Sequence, residues 1–390
     1  SVKEVIGGQV SGTPLLRTAA INEPRLEYDA SGNPLGLLIE EARTNVLAYS
    51  EGFTSGWSDI FCFTTANAIA SPDGAVSGAK LQEDSSGVNG PRFFPNNNAV
   101  LTANQAQTLS CFFKAGTSAY AYLTIRHSQG NVAAVEFDLT SGTVNSTTVF
   151  GNMTLNGSDI TSVGNGWYKC SVTATSSAST TSGFYLLAMT DGSGVTSAGY
   201  PNYALTGKNI YAWGAQLEEG AFPTSYIPTS GSTVTRAADF ASASSFKYHQ
   251  NSTQGTLYVA FTPNVDSSNF LRVAEFGYSN LRFSIQIVNG AIRHYTRNAA
   301  NNTNNVIGTP YLYTLNSTQK TAFTVSAGYA AQSTNGTNAQ SETDVLGLNE
   351  SNVGFYIGRS GSGAQLNGHI KQIQYYPKRL SNAQLQALTS

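Results

Sequence analysis

The segment Lys208-Asn-Ile-Tyr-Ala-Trp-Gly-Ala-Gln-Leu-Glu-Glu-Gly-Ala-Phe-Pro-Thr-Ser-Tyr-Ile-Pro-Thr229 contains an alternating run from Tyr211 to Glu218. The larger apolar groups occupy every second position, at Tyr211, Trp213, Ala215 and Leu217. A period of two predicts a β-strand with these four groups on one face. The strand is expected to end against Gly220 and Pro223, which do not continue a central ladder. The segment is interpreted as the closing strand of a β-sandwich.

Composition supports an all-β chain with more than one core. The chain has 390 residues, above the usual size of a single core, so two domains are expected. Charged residues make up only 11%, while Tyr (20) and Phe (19) are plentiful, which favours packed strands over disorder. Lys plus Arg (21) nearly balances Asp plus Glu (23), so no long-range field is expected to attract nucleic acid or an anionic membrane. No apolar run approaches the length of a membrane span.

Short alternating runs separated by Gly, Asn, Pro and Ser predict two antiparallel jelly-roll β-sandwiches in tandem. The expected division is a leader over 1–22 that could pair with a stem or a neighbouring subunit, a first sandwich over 23–239 and a second over 240–390. A Ser/Ala/Thr-rich bridge from Ser230 to about Lys247 places the boundary. Only Ser381–Leu388 has a helical pattern, with Ser381 as the N-cap.

The first predicted hairpin offers one candidate binding surface. Ala121, Leu123 and Ile125 alternate with polar and aromatic residues, and a short turn precedes a second alternating run. Pairing Arg126 with Val132 sets Tyr122 opposite Glu136 and Tyr120 opposite Asp138. Carbohydrate sites combine aromatic faces with amides and carboxylates. The outward stripe is therefore a candidate glycan site, consisting of Tyr120, Tyr122, Arg126, Glu136 and Asp138. The alternative is that a second layer or a subunit interface covers it.

The second candidate surface lies on the clearest hairpin. Asn289-Gly290 joins two alternating runs and is the strongest signal for a type I′ turn. Pairing across it sets Gln286 opposite Arg293, Ser284 opposite Tyr295 and Arg282 opposite Arg297, with His294 on the core side. Arg forks match carboxylate or phosphate, so the face suits an anionic sugar. The candidate residues are Gln286, Arg293, Tyr295 and Arg297. The alternative is ion pairing with neighbouring acids, and Glu275 is expected beside Arg282.

Several segments up to residue 239 together resemble the concanavalin-like, carbohydrate-binding-like jelly-roll modules of bacteriophage tail and head fibres. They are Glu23–Asp29, Gly36–Asn45, Tyr49–Phe53, Trp57, Ser71–Gly74, Gly166–Cys170, Trp213–Glu218, Tyr226–Thr229 and Thr235–Asp239. Residues 255–390 are similar to a laminin-G or concanavalin-like sandwich. The matching pieces there are Gly255–Val259, Phe355–Arg359, Leu366–Ile370 and Tyr376–Ser381.

The resemblance implies a virion fibre or spike component that is assembled in the host cytoplasm. Such a component touches the host surface through polysaccharide or lipopolysaccharide, contacts other virion proteins and often forms a homotrimer. Two alternatives stay open: a structural fibre or capsid-decoration module that binds no glycan, and a glycan depolymerase. Glu136-Phe-Asp138-Leu-Thr140 has two acids of a hydrolase-like Glu-x-Asp-x-Glu strand, but Thr140 stands in place of the third. No catalytic residue is therefore predicted.

No cofactor or metal is predicted from the titratable residues. Cys62, Cys111 and Cys170 lack metal-ligand spacing and are expected to be small buried hydrophobes. Sandwich lectins often bind calcium through Asp, Asn and backbone oxygens, and Asp29, Asp73 and Asp191 lie in loop-like contexts, but nothing in the sequence shows that they converge.

Overall fold

The computed structural model describes residues 16–20, 22–85, 90–96, 99–246, 254–265, 270–278, 281–297, 304–343, 353–359 and 365–390. Most of the leader predicted over 1–22 lies outside these residues. Of its described part, Leu16 donates a backbone hydrogen bond of 3.0 Å to Pro72 and packs on an aromatic cluster. Among the described helices, none has the length and apolar character to cross a membrane.

Strands are the main regular structure of the described residues, and one short helix lies near the end of the chain. In chain order the elements are β1 (Leu26–Tyr28), β2 (Pro34–Ile39), β3 (Arg43–Asn45), β4 (Trp57–Ile60), β5 (Cys62–Ile69), β6 (Gly78–Glu83), β7 (Arg92–Pro95), β8 (Ala99–Leu101), β9 (Gln107–Ala115), β10 (Tyr120–Ser128), β11 (Asn131–Asp138), β12 (Thr143–Phe150), β13 (Met153–Gly164), β14 (Trp167–Ser176), β15 (Thr180–Thr190), β16 (Asn209–Glu219), β17 (Val234–Arg236), β18 (Ala241–Phe246), β19 (Gly255–Pro263), β20 (Leu271–Tyr278), β21 (Leu281–Val288), β22 (Ala291–Arg297), β23 (Asn304–Val306), β24 (Tyr311–Leu312), β25 (Gln319–Ser326), β26 (Tyr329–Thr334), β27 (Gln340–Thr343), β28 (Val353–Ile357), β29 (Gly368–Tyr376) and α1 (Asn382–Thr389).

The first unit is a sandwich of two antiparallel sheets. One sheet has the order β12-β11-β10-β15-β7-β4, with β8 beside β15, and the other has the order β13-β14-β9-β16-β6-β5. A single apolar core contains side chains from both sheets, including Leu123, Phe137, Leu109 and Leu217. Cys62, Cys111 and Cys170 are buried and unpaired, as predicted.

The second unit is also a sandwich. Its sheets have the orders β1-β2-β29-β19-β25-β26-β27 and β18-β28-β20-β21-β22-β23, with β24 beside β22. Its core includes Phe261, Phe276, Ile285 and Phe323. Helix α1 packs Leu385 against Ala331 and Ala322, and Ser381 caps it in a capping box with Gln384. The predictions of two antiparallel β-sandwiches and of this helix are confirmed.

The division of the chain between the two units differs from the predicted boundaries. Tyr28–Pro34 and Arg43–Ala237 belong to the first unit, while Pro24–Glu27 and Leu35–Ala42 join Ala238–Ser390 in the second. The physical reason is strand pairing, because β2 adds to β29 with Leu38 opposite His369. The division beside Ala238 lies close to the predicted position near 240.

Ion pairs stabilise the early segments Pro24–Glu27 and Leu35–Ala42 in the second sandwich. Arg25 is buried and forms ion pairs with Glu40, at 2.7 Å, and with Asp239. The backbone N–H of Glu40 also donates to Asp239 at 2.8 Å. Each buried charge therefore has a partner, as burial requires. Sequence pieces that carry the family resemblance thus meet in one ionic cluster.

Strand β16 departs from simple alternation at Gly214. Ile210, Ala212, Ala215 and Leu217 contribute to the central core, whereas Trp213 packs with Phe112 and Tyr226 on the other side of the sheet. The register shifts between Trp213 and Gln216, and Gly214 has a φ of 63°. This bulge inserts an extra residue and exchanges the faces. The prediction that Tyr211 and Trp213 share a face with Ala215 and Leu217 is therefore wrong.

Candidate functional site

The β10–β11 hairpin has the predicted register. Arg126 lies opposite Val132, Tyr122 opposite Glu136, and Tyr120 opposite Asp138. The next strand, β15, places Ala188 beside Tyr122 and Phe184 beside Arg126. The alternating pattern therefore predicted correctly which side chains share a face.

Tyr122 is nevertheless enclosed. Its side chain is 0% exposed, and its hydroxyl donates to the carbonyl of Pro91 at 2.9 Å. Burial raises the pKa of Tyr122 well above its usual value. The connection after β15 covers the stripe: a Cβ at Gly192 would lie 2.9 Å from Tyr120, and one at Gly199 would lie 3.2 Å from Thr124. The prediction of Tyr122 as an outward sugar platform is wrong, and the covered alternative is correct for this position.

Glu136 is also enclosed, at 1% exposure. Its carboxylate accepts hydrogen bonds from Asn145 at 2.5 Å, Ser146 at 3.2 Å, the backbone of Gly194 at 3.1 Å, and the hydroxyl of Thr190. Four donors saturate the carboxylate and attach the covering connection to β11 and β12. Glu136 is therefore a structural anchor, and its predicted role in contacting a glycan is wrong.

Three members of the first stripe stay half-buried. They are Tyr120, Arg126 and Asp138. Asp138 caps the turn after β11 by accepting from the backbone N–H groups of Thr140 and Ser141, at 2.7 and 3.2 Å. The pKa of Asp138 is lowered, because these hydrogen bonds outweigh the opposing effect of desolvation. The first candidate site is not a continuous surface.

The second candidate face also has the predicted register. Gln286 lies opposite Arg293, Ser284 opposite Tyr295, and Arg282 opposite Arg297. Asn289, with a φ of 49°, and Gly290, with a φ of 72°, form the turn. Positive φ at both positions is what a type I′ turn requires. Strand β20 extends the face, with Arg272 opposite Gln286 and Glu275 opposite Ser284.

The base of this face is a buried polar cluster. Nε of Arg272 lies 2.8 Å from the carboxylate of Glu275, and Nη1 donates to Ser284 at 3.0 Å. Gln286 donates to the same hydroxyl at 2.7 Å and is 3% exposed. Gln286 is therefore a supporting residue, and its prediction as a ligand contact is wrong. Glu275 lies opposite Ser284 and pairs with Arg272, while Gly277 lies opposite Arg282. The predicted contact between Glu275 and the side chain of Arg282 falls outside the described residues.

Arg293, Tyr295 and Arg297 line the outer part of the same face. All three are half-buried, while Ile292, His294 and Thr296 between them are buried. Among the residues that the structure describes, Arg293 has no salt-bridge partner, and its buried Nε has no hydrogen-bond acceptor. A guanidinium in this position can donate hydrogen bonds to an anion. Part of the free-energy cost of removing water from it has already been met by folding.

His294 belongs to the core, as predicted. It is 1% exposed, its ring lies edge-on to Phe323 at 5.2 Å, and Nε2 is 2.7 Å from the hydroxyl of Thr321. Burial lowers its pKa from 6.5 to about 3, so the ring is neutral at pH 7. His294 therefore adds no charge beneath the arginines.

The aspartates considered for calcium lie in separate turns. Asp29 accepts from Ser31 and Asn33, and Asp191 accepts from Ser193. Within the described ranges, no group of three or more His, Cys, Asp or Glu side chains converges on a metal position. These carboxylates serve as turn caps.

Sequence reasoning missed Arg272, which pairs with Glu275 at the base of the second face. It also missed the contact beside the first face between Arg92 and Tyr200, where the guanidinium carbon lies 4.0 Å from the ring centre. Strict alternation along Leu271–Tyr278 would put Arg272 and Glu275 on opposite faces, and the register shift between Arg272 and Ala274 brings both beside Gln286 and Ser284. No local signal could have brought Tyr200 onto β7, because the contact is made by a long connection.

No protein-family model and no curated protein sequence matches the chain. Among solved structures, domain 4 of an extracellular arabinanase from Geobacillus stearothermophilus, in complex with arabinotriose, is 16% identical over 40% of this chain and 83% of that chain, with a TM-score of 0.34. The CBM40 of a Ruminococcus gnavus sialidase, bound to α2,3-sialyllactose, is 13% identical over 38% and 98%, with a TM-score of 0.32. Domains LG4-5 of mouse laminin α1 are 10% identical over 74% and 88%, with a TM-score of 0.29. Scores this low carry no functional argument.

Proposed function

We propose that this chain is a non-catalytic adhesion protein of a bacteriophage fibre or spike that binds an acidic glycan of the host surface. The binding site is the outer face of β21 and β22 in the second sandwich. The observation that carries the proposal is Arg293, a half-buried guanidinium without a carboxylate partner among the described residues.

Rigid strands hold the cationic groups in fixed positions. Arg293 and Arg297 are separated by Tyr295 on one face of β22, and the buried cluster of Arg272, Glu275 and Ser284 supports the sheet beneath. A guanidinium offers two parallel N–H groups to a carboxylate, which gives both strength and orientation. This favours sugars that carry a carboxylate over neutral sugars.

An apolar edge adjoins the arginines. Val306 lies opposite Tyr295 and is 42% exposed, and Leu312 lies opposite Ala291 and is 77% exposed. Together with the ring of Tyr295 they supply surface for the apolar side of a pyranose. Such a shallow site is expected to bind weakly.

The fibre assignment rests on the sequence resemblance. A homotrimer would present three copies of the face, and multivalent contact with a repeating polysaccharide would multiply weak single-site affinity. Multivalent contact therefore suits a shallow, weakly binding site.

The test is isothermal titration of sialyllactose and of lactose into the wild-type protein and into Arg293→Met/Arg297→Met. Because each charge-assisted hydrogen bond contributes about 1.5–3 kcal/mol, the double variant should lose roughly tenfold or more in affinity for the acidic sugar. Lysines 371 and 378 are exposed outside this face, so Lys371→Met/Lys378→Met is the control with the same change in charge.

Equal loss in the control would show that net charge alone drives binding. Unchanged acidic-sugar binding in a folded Arg293→Met/Arg297→Met protein would reject the site.

A further inference from the structure

A second pair of arginines lies on the first sandwich, beside the stripe that the β15–β16 connection covers. The guanidinium carbon of Arg92 lies 4.0 Å from the ring centre of Tyr200 and 5.9 Å from that of Phe61. The guanidinium carbon of Arg126 lies 4.6 Å from the ring centre of Phe184. Each guanidinium thus lies over an aromatic ring.

Strand register explains this arrangement. Arg126 lies opposite Phe184 on β15, and Arg92 lies opposite Ile60 on β4. Phe94 is two residues beyond Arg92 on β7, and its ring makes an edge contact with Phe184 at 6.0 Å. Alternation therefore places the arginines and aromatics of β7, β10 and β15 on one face of the sheet.

The covering connection brings the two arginines into one site. Nη1 of Arg126 donates to the carbonyl of Ala198 at 2.8 Å, while the ring of Tyr200, two residues later, stacks on Arg92. A Cβ at Gly199 would lie 3.1 Å from Cδ of Arg126, so the backbone passes directly over that side chain. Residues 198–200 thus contact both cations.

The positive charge of this pair is uncompensated within the described part of the chain. Arg92 donates to the carbonyl of Gly90 at 3.2 Å, and neither Arg92 nor Arg126 forms a salt bridge there. Nε of Arg126 is buried without an acceptor. Desolvation lowers the pKa of Arg126, and the charge of Arg92 adds to the effect. Two half-buried like charges carry a free-energy cost that an anion would relieve.

We propose that Arg92 and Arg126 bind the carboxylate of an acidic sugar whose ring packs on the edges of Phe94 and Phe184. The aromatic groups favour a sugar acid over inorganic phosphate, since phosphate has no apolar face to bury. The choice of a sugar rests on the proposed function, but the site uses residues separate from the second-sandwich face.

The experiment starts from Arg293→Met/Arg297→Met, in which the second-sandwich face is disabled. The probes are trigalacturonic acid and its methyl ester, which differ in carboxylate charge, together with sialyllactose. Isothermal titration should show that trigalacturonic acid binds. The affinity of its methyl ester should be lower by about tenfold or more. Adding Arg92→Gln or Arg126→Gln should each weaken acid binding roughly tenfold. The matched control is Arg17→Gln, which removes an exposed arginine.

A second measurement does not depend on the Arg92 and Arg126 variants folding. In ¹⁵N-labelled Arg293→Met/Arg297→Met protein, the acid should shift the Nε–Hε resonances of Arg92 and Arg126, and the ester should not. Binding of neither acidic probe, or acid binding that leaves both resonances unmoved, would overturn the assignment. Because the second-sandwich face is already absent from this protein, its success or failure cannot produce either result.

Discussion

The two candidate faces both lie on β-hairpins, but their tyrosines differ in solvent exposure. Both are hairpin faces whose register follows from alternation, and both carry Tyr and Arg at outward positions. Tyr122 on the first is fully enclosed, whereas Tyr295 on the second is half-buried. The difference comes from the connection after β15, which packs Gly192 and Gly199 onto the first face. In these two hairpins the strand pattern predicts which residues share a face, and the connection after β15 decides that Tyr122 is covered.

The largest expected difference between the faces is in stability. Tyr122→Ala should lower the free energy of unfolding by about 3–5 kcal/mol, because it removes a buried ring from a packed core. Tyr295→Ala should cost about 1 kcal/mol or less, since the ring is partly solvated. Urea denaturation of both variants measures the contrast. Equal losses would mean that the two faces are covered alike.

The next effect is a pH dependence specific to the second sandwich. His294 has a pKa of 6.5 when exposed and about 3 when folded, so unfolding takes up a proton below pH 6.5. The free energy of unfolding should therefore fall as pH decreases from 6.5 toward 3, by up to about 1.4 kcal/mol per pH unit. His294→Gln should remove this slope between pH 6.5 and 5 in thermal unfolding. Identical slopes in the two proteins would place His294 in solvent.

The smallest effect concerns the turn that aligns the second face. Gly290→Ala should destabilise the hairpin by about 1 kcal/mol, because alanine is strained at a φ of 72°. Val288→Ala, on the adjoining strand end, is the control because Val288 does not have a positive φ. Comparing midpoints of urea unfolding, and sialyllactose affinity, tests whether turn strain reaches the arginines. A stabilised Gly290→Ala protein would argue against the type I′ turn.

Local signals in the sequence predicted a large part of this fold. Asn289-Gly290 and the alternation on either side of it predicted the register that pairs Gln286 with Arg293. Ser381 predicted the start of α1. These features depend on neighbouring residues, so sequence patterns report them directly.

Predictions failed where distant segments decide the outcome. The bulge at Gly214 exchanges the faces of β16, although Tyr211–Leu217 alternates without interruption in the sequence. Strand β2 joins the second sandwich because β29 accepts it, more than three hundred residues away in the chain. Tyr122 and Glu136 are buried by a connection whose path no alternation encodes.

The most direct test of the central claim is an array of bacterial surface glycans probed with the wild-type protein and with Arg293→Met/Arg297→Met. We expect signals confined to carboxylate-bearing glycans, and a marked reduction of those signals in the double variant. Uniform silence from the folded wild-type protein would contradict adhesion and favour a purely structural role in the fibre.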